Sequence, residues 1–267
     1  MANGGGKRDD IPRRWRLRTL WGIVAGTLAS VPRPYAPRSP AAAEPDDPQP
    51  IRVMPLGDSL TEGYNLPGGY RNELAERFAD DGLAVDFVGS LSNGPATLRD
   101  REHEGHSGFR IDEIAGPVGR SLRRYRPDIV LLMIGTNDVV QDHRLPTAPD
   151  RLSALIDRIL TTLPRTHVIV ASIPKIEGSP NAERVVAFNA DIPGIVESKI
   201  DEGKDVSYVD INSVIELDNL HTDYTHLNAT GHCKVADAWY PAIRSVLGLG
   251  PPVPSVPTSS PESCALP

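Results

Sequence analysis

The segment IRVMPLGDSLTEG, residues 51–63, carries an apolar run (Ile51, Val53, Met54, Leu56) that stops at Gly57-Asp58-Ser59. The run reads as a buried strand. A helical pattern follows soon after, so Ser59 stands at the strand's carboxyl end, the end at which open α/β sheets bind ligands. A serine so placed can be a nucleophile if a base, a partner for the base and oxyanion donors come from elsewhere in the chain. A plainer role also fits. Ser59 and Glu62 have the Ser-x-x-Glu spacing of a capping box, so Asp58 or Ser59 could simply cap the helix that follows. Pro55 suits a central strand badly, because it lacks a ladder donor.

Outward from this segment, apolar runs alternate with amphipathic ones. Tyr70, Leu74, Ala75 and Phe78 fall at helical spacing, and Asp81-Gly82 ends that helix. Val85 to Val88 is a short strand, and residues 90–109 read as a polar loop. Ile111, Ile114, Val118, Leu122 and Tyr125 mark a helix weakened at Gly116-Pro117. Ile129 to Ile134 is uninterrupted and apolar, as a strand covered on both faces would be. A helix through Leu152, Leu155, Ile156, Ile159 and Leu163 leads to a strand at Val168 to Ile173. Residues 181–202 read as a helix that Pro193 kinks or splits. A fifth strand spans Val206 to Ile211, and a last helix runs from about Ala229 to Leu247. Strands alternating with helices predict an α/β, flavodoxin-like three-layer sandwich: a five-stranded parallel sheet, order 2-1-3-4-5, with helices on both faces.

The chain has 267 residues, 39% of them hydrophobic, which suffices for one sizeable core. Its charge is uneven. Residues 1–43 hold eight of the 28 Lys and Arg and two of the 35 Asp and Glu, which leaves 20 basic against 33 acidic side chains in the remainder. A body that acidic repels polyanions, so a neutral substrate is expected and a nucleic-acid partner is not. The basic start, Arg13-Arg14 and the apolar run from Leu20 to Val31 read as an export signal of twin-arginine type, with cleavage after Ala43. That run is too short to span a bilayer. The expected organisation is therefore a signal segment at 1–43, a linker at 44–50, one domain at 51–248 and a flexible Pro/Ser-rich tail at 249–267. The two cysteines, Cys233 and Cys264, offer no zinc-like spacing but could form one disulfide in an exported protein.

A base for Ser59 is sought at the carboxyl end of the fifth strand, where the sequence reads Leu220-His221-Thr222-Asp223-Tyr224-Thr225-His226-Leu227. Asp223 and His226 are three residues apart. The carboxylate can accept the Nδ1 proton and leave Nε2 facing outward. His221 competes as a base, and Asp223 could instead cap the closing helix. Oxyanion donors are available from Asn137 in Gly135-Thr136-Asn137-Asp138, from the Ser59 N–H, and from Gly105 or Gly108, between which the residues do not choose. His103 and His106, among Glu102 and Glu104, raise a metal site as an alternative, but no further ligands follow at zinc-like spacing. No cofactor or metal is expected.

The blocks Gly57-Asp58-Ser59-Leu60, a glycine in the second-strand loop, Gly135-x-Asn137-Asp138 and Asp223-x-x-His226-Leu227 resemble the SGNH hydrolase (GDSL esterase) superfamily in order and spacing. Within it, MPLGDSLTEG, VDFVGS, DREHEGHSGFRIDEIA and DIPGIVESK are most similar to the third carbohydrate-esterase family, the acetyl xylan esterases. The resemblance implies a secreted serine esterase that removes acetyl groups from xylan, with Ser59 as nucleophile, His226 as base and Asp223 as its partner. It also implies Ser59, Gly108 and Asn137 as the oxyanion hole. Phe109 departs from the pattern, which often has Trp there. The expected partner is acetylated xylan or another small-acyl ester, with no membrane association after signal removal and a monomeric chain. Esterases acting on other carboxylic esters, and a non-catalytic carbohydrate-binding homologue, are the alternatives.

Overall fold

The structure, a computed structural model, describes residues 49–178 and 180–250. The expected signal segment, most of the linker and tail, and Cys264 with its expected bridge to Cys233 lie outside the described residues. In chain order the elements are β1 (Ile51–Gly57), α1 (Ser59–Glu62), α2 (Tyr70–Asp80), β2 (Val85–Phe87), β3 (Leu91–Ser92), β4 (Glu102–Gly105), α3 (Ile111–Ala115) and α4 (Val118–Tyr125). They continue with β5 (Ile129–Met133), α5 (Thr136–Val140), α6 (Ala148–Thr162), β6 (His167–Ala171), α7 (Asn181–Asp201), β7 (Val206–Val209) and α8 (Ala229–Val246).

The parallel order β2-β1-β5-β6-β7 is the 2-1-3-4-5 arrangement expected from the sequence. Among the described residues the sheet has seven strands rather than five, because part of the polar loop at 90–109 pairs: β3 and β4 are antiparallel, and β4 joins β1. A strand of Leu and Ser and one of Glu, His, Glu and Gly are too short and polar to carry an apolar alternation, so nothing in their composition announces them.

Along one edge β1 changes neighbour. Ile51 to Val53 pair with β2, whereas Leu56 and Gly57 pair with β4. On that edge the Val53 and Gly57 carbonyls accept from Val88 and His106, while Arg52, of opposite parity, faces β5 through Asp128. Pro55 shares the parity of Val53 and Gly57, so its missing N–H faces the gap between β2 and β4, where no ladder bond is lost.

Both faces of the sheet are buried, which explains the unbroken apolar runs. Met54, Leu56, Val130, Leu132, Val168 and Val170 pack under α3, α4, α6 and α7. The alternate residues Val53, Ile129, Leu131, Met133 and Ile169 pack under α2 and α8. Each such side chain contributes about 1.5–3 kcal/mol by leaving water.

Gly116 and Pro117 do divide α3 from α4. Pro193 does not split α7, which runs through it for 21 residues. Phe188, Ile192 and Val196 are buried on one side of that helix, and their packing outweighs one lost backbone bond. No helix among the described residues is long and apolar enough to cross a membrane.

Candidate active site

Gly57 closes β1, and Asp58 caps α1 by accepting the Leu60 N–H at 3.0 Å. Asp58 alone therefore fills the capping role. The Ser59–Glu62 capping box does not form, and the Glu62 carboxylate instead accepts from the Ser107 hydroxyl. Ser59 is left as the first residue of α1, its side chain uncommitted to the backbone and its N–H without an intrahelical partner.

The Ser59 hydroxyl donates to His226 Nε2 at 2.9 Å, across 167 positions of sequence. On the other side of the ring, His226 Nδ1–H donates to Asp223 Oδ2 at 2.7 Å. A carboxylate can only accept, so this contact fixes the imidazole tautomer. Burial tends to raise the Asp223 pKa, but donation from the His226 N–H, the imidazole and the Thr225 N–H outweighs it and holds the carboxyl well below the usual range. Asn228 caps α8 through the Gly231 N–H, so Asp223 is not that helix's cap, and His226 lies ahead of its first turn. The competing base, His221, lies in the same loop with its Nδ1 against the Thr222 hydroxyl.

The two glycines that the residues left open differ in their hydrogen bonding. Gly105 N–H already donates to His103 Nδ1 at 3.0 Å, and a Cβ there would come within 2.5 Å of the Glu62 nitrogen, so this glycine permits β4 to lie against α1. Gly108 sits at φ +81° in a turn closed by Phe109 N–H to the His106 carbonyl, a place where type II geometry calls for glycine. Among the described residues its N–H has no hydrogen-bond acceptor. Asn137, on α5, spends one Nδ2 hydrogen on the Phe109 carbonyl at 3.0 Å and keeps the second.

The model of the GDSL-like lipase/acylhydrolase family matches residues 56–233. The family 3 carbohydrate esterase of Clostridium thermocellum is 38% identical, with a TM-score of 0.67 over 75% of this chain and 98% of that one. This chain belongs to the GDSL-like lipase/acylhydrolase family, in carbohydrate esterase family 3. An acetyl esterase mutant with acetate ion is 30% identical, with a TM-score of 0.67 over 74% of this family member and 98% of the other chain. A multidomain esterase of Ruminococcus flavefaciens is 32% identical over 90% of this family member. The chain spans only 33% of that relative's length.

Several residues that hold the family site in place escaped the sequence reading. Asp138 is fully buried, accepts the Ile111 N–H at 3.0 Å and is paired with Arg151. With Asn137 on Phe109, it fixes the segment that follows Gly108. Glu104 accepts from Ser90, Ser121 and His106. Burial would raise its pKa, but these donors outweigh it and lower it. The His106 ring stacks on Phe109 at 4.9 Å. Burial pushes His103 down to about 3, so it is a neutral acceptor for Gly105. The two histidines thus make separate structural contacts, and no cluster of metal-ligating side chains occurs among the described residues.

Asp58 is pushed up to about 7, first by desolvation, which the Leu60 N–H offsets only in part. Arg71, also fully buried, donates to the carbonyls of Glu62, Asn93 and Arg101 and staples that loop to α1. A signal existed for Arg71, a charged residue at helical spacing from Leu74, Ala75 and Phe78 and so on the inward face of α2. A cavity of about 500 Å³ lies between α2, β2 and residues 97–100, lined by Phe78, Phe87, Leu98 and Asp100, with no catalytic candidate among its walls.

Proposed function

We propose that this chain is an exported serine esterase that removes acetyl groups from xylan through an acetyl-enzyme intermediate. The single observation that carries the reading is the relay from Ser59 through His226 to Asp223, at 2.9 and 2.7 Å. Ser59 Oγ attacks the acetyl carbonyl and gives its proton to His226 Nε2, while ionised Asp223 stabilises the imidazolium. The Ser59 N–H, the Gly108 N–H and the second Asn137 Nδ2 hydrogen stabilise the oxyanion. Collapse expels the sugar oxygen, which takes the proton back from His226. Water, deprotonated by the same imidazole, then attacks the acetyl-enzyme, and acetic acid leaves.

Acetyl as the acyl group is supported by family 3 membership and by the related acetyl esterase that holds acetate. The acidic body supports a neutral polysaccharide. Export rests on the basic, Arg13-Arg14-containing start and its apolar run.

Acetate release from acetylated xylan, by wild type and by Ser59→Ala, tests the activity. Ser59→Ala should lose about 10⁶-fold in kcat; near-wild-type turnover would refute the mechanism. Faster hydrolysis of long-chain esters than of acetylated xylan would reassign the substrate. Export is tested by whether the protein reaches the culture medium and is retained in the cell when Arg13 and Arg14 are both changed to Lys.

A further inference from the structure

Among the described residues, nine large hydrophobic side chains are substantially exposed, and only two are aromatic: Tyr64 at 61% and Tyr224 at 55%. Tyr64 lies against the His226 imidazole, and Tyr224 lies in the loop that leads to it. The Tyr64 ring lies 4.8 Å from His226, centroid to centroid, tilted by 35°. Tyr224 stands two residues before His226, in the loop that carries Asp223.

Burial alone explains neither ring. Tyr64 touches His226 with one part and leaves most of its surface in water, whereas a residue needed only to pack on the imidazole would be covered. Tyr224 is held at φ +58°, a conformation that a bulky residue rarely adopts. Strain of that kind gathers at functional sites and persists where the surroundings impose it.

The surroundings do impose it. The Tyr224 N–H donates to the His221 carbonyl at 2.9 Å, and its own carbonyl accepts from Glu177 at 3.1 Å. On the other side, the Tyr64 N–H donates to the Ser59 carbonyl at 3.1 Å, and Asn65 Nδ2 donates to Asp223 Oδ2 at 3.3 Å. The loop from Gly63 to Gly69 is thereby tied both to the nucleophile's helix and to the base's partner.

Resting on the acetylated-sugar reading above, we propose that Tyr64 and Tyr224 are specificity-determining residues: a platform on which the pyranose ring bearing the scissile acetyl group stacks. One face of a pyranose presents weakly positive C–H groups, which suit the negative face of an aromatic ring, and its rim presents hydroxyls that a phenol can meet. The platform is uncharged, as a neutral sugar requires. The position of Tyr64 beside His226 suits the oxygen that takes the proton from that ring when the sugar leaves.

The experiment measures kcat and KM for an acetylated xylo-oligosaccharide and for ethyl acetate, which has no ring to stack. Tyr64→Ala should raise KM for the oligosaccharide about tenfold more than for ethyl acetate. Tyr64→Phe keeps the ring and should bring that ratio back to within about twofold of wild type, and Tyr224→Ala should shift it in the same direction as Tyr64→Ala. An equal loss of kcat on both esters would overturn the proposal and leave Tyr64 as a support for the imidazole. Wild type that cleaves ethyl acetate but not the oligosaccharide would overturn the substrate reading itself, and the platform with it; that result is visible before any variant is made.

Discussion

The turn that carries Ser59 and the loop that carries His226 meet at one hydrogen bond but are built in opposite ways. Asp58 and Thr61 are fully buried and Ser59 nearly so, on the end of a strand covered on both sides. The segment from His221 to Thr225 lies largely in solvent and is held by hydrogen bonds of its own: His221 N–H to the His226 carbonyl at 2.6 Å, and the Asp223 carboxylate to two backbone donors. One half derives its geometry from packing, the other from a local polar network. Substitutions in the first should be felt as lost stability as well as lost rate, and those in the second mainly as lost rate.

Asp223→Asn should give the largest break in that comparison. Losing the charge that sets the tautomer costs about 10⁴-fold in kcat in a triad of this kind; the melting temperature should move little, because the carboxylate is partly solvated. Rate measurements beside a thermal melt would check both. Asn137→Ala, on the packed side, should lose about 10²–10³-fold in kcat with little change in KM, since in the proposed mechanism it removes one oxyanion donor. It should also destabilise the fold modestly, by releasing Phe109.

The third case sharpens the contrast through pH. A carboxyl raised from 3.8 to about 7 binds its proton more tightly in the folded state, so its contribution to stability is present at acid pH and lost as pH climbs from about 4 through 7. For Asp58 the loss is on the order of 4 kcal/mol at most. Asp58→Asn retains the acceptor for Leu60 but cannot ionise, so melts across pH 4 to 8 should show wild type falling relative to the variant. Asp223 has the opposite sign. Its depressed pKa gives the fold a small, solvent-screened stabilisation above pH about 4, which disappears only as pH drops below the usual carboxylate range. The smallest effect belongs to Tyr224→Asn, which relieves a left-handed conformation worth about 1 kcal/mol and should raise the melting temperature by roughly 2–4 °C.

What the sequence disclosed follows the same division. The strands that pack on both faces were legible, because uninterrupted apolar runs such as Ile129 to Met133 or Val168 to Ala171 are what a strand covered on both faces requires. The parallel order and the helices on either side came with those strands. Ser59, Asp223 and His226 were singled out from short ordered blocks, and the structure brings the three side chains into one hydrogen-bonded chain. β3 and β4 were not, since their pairing depends on register against β1 and on a Gly89 and a Gly105 that leave room for it, rather than on any pattern of their own. The residues alone did not choose between Gly105 and Gly108, and the family resemblance pointed to Gly108; the structure adds that the Gly105 N–H is already spent on His103. The buried roles of Asp138 and Glu104 do not show in one dimension; their partners, Ile111 and Ser121, stand 27 and 17 positions away.

The staple made by Arg71 also divides one excursion of the chain from the rest. By holding the carbonyls of Asn93 and Arg101, it fixes both ends of the segment that leaves the sheet between β3 and β4, whatever lies between them. The exposed tip, Pro95-Ala96-Thr97, is therefore a natural port for lengthening or grafting. A foreign peptide inserted there would be displayed from the body of the molecule while the turn bearing Gly108 kept its position.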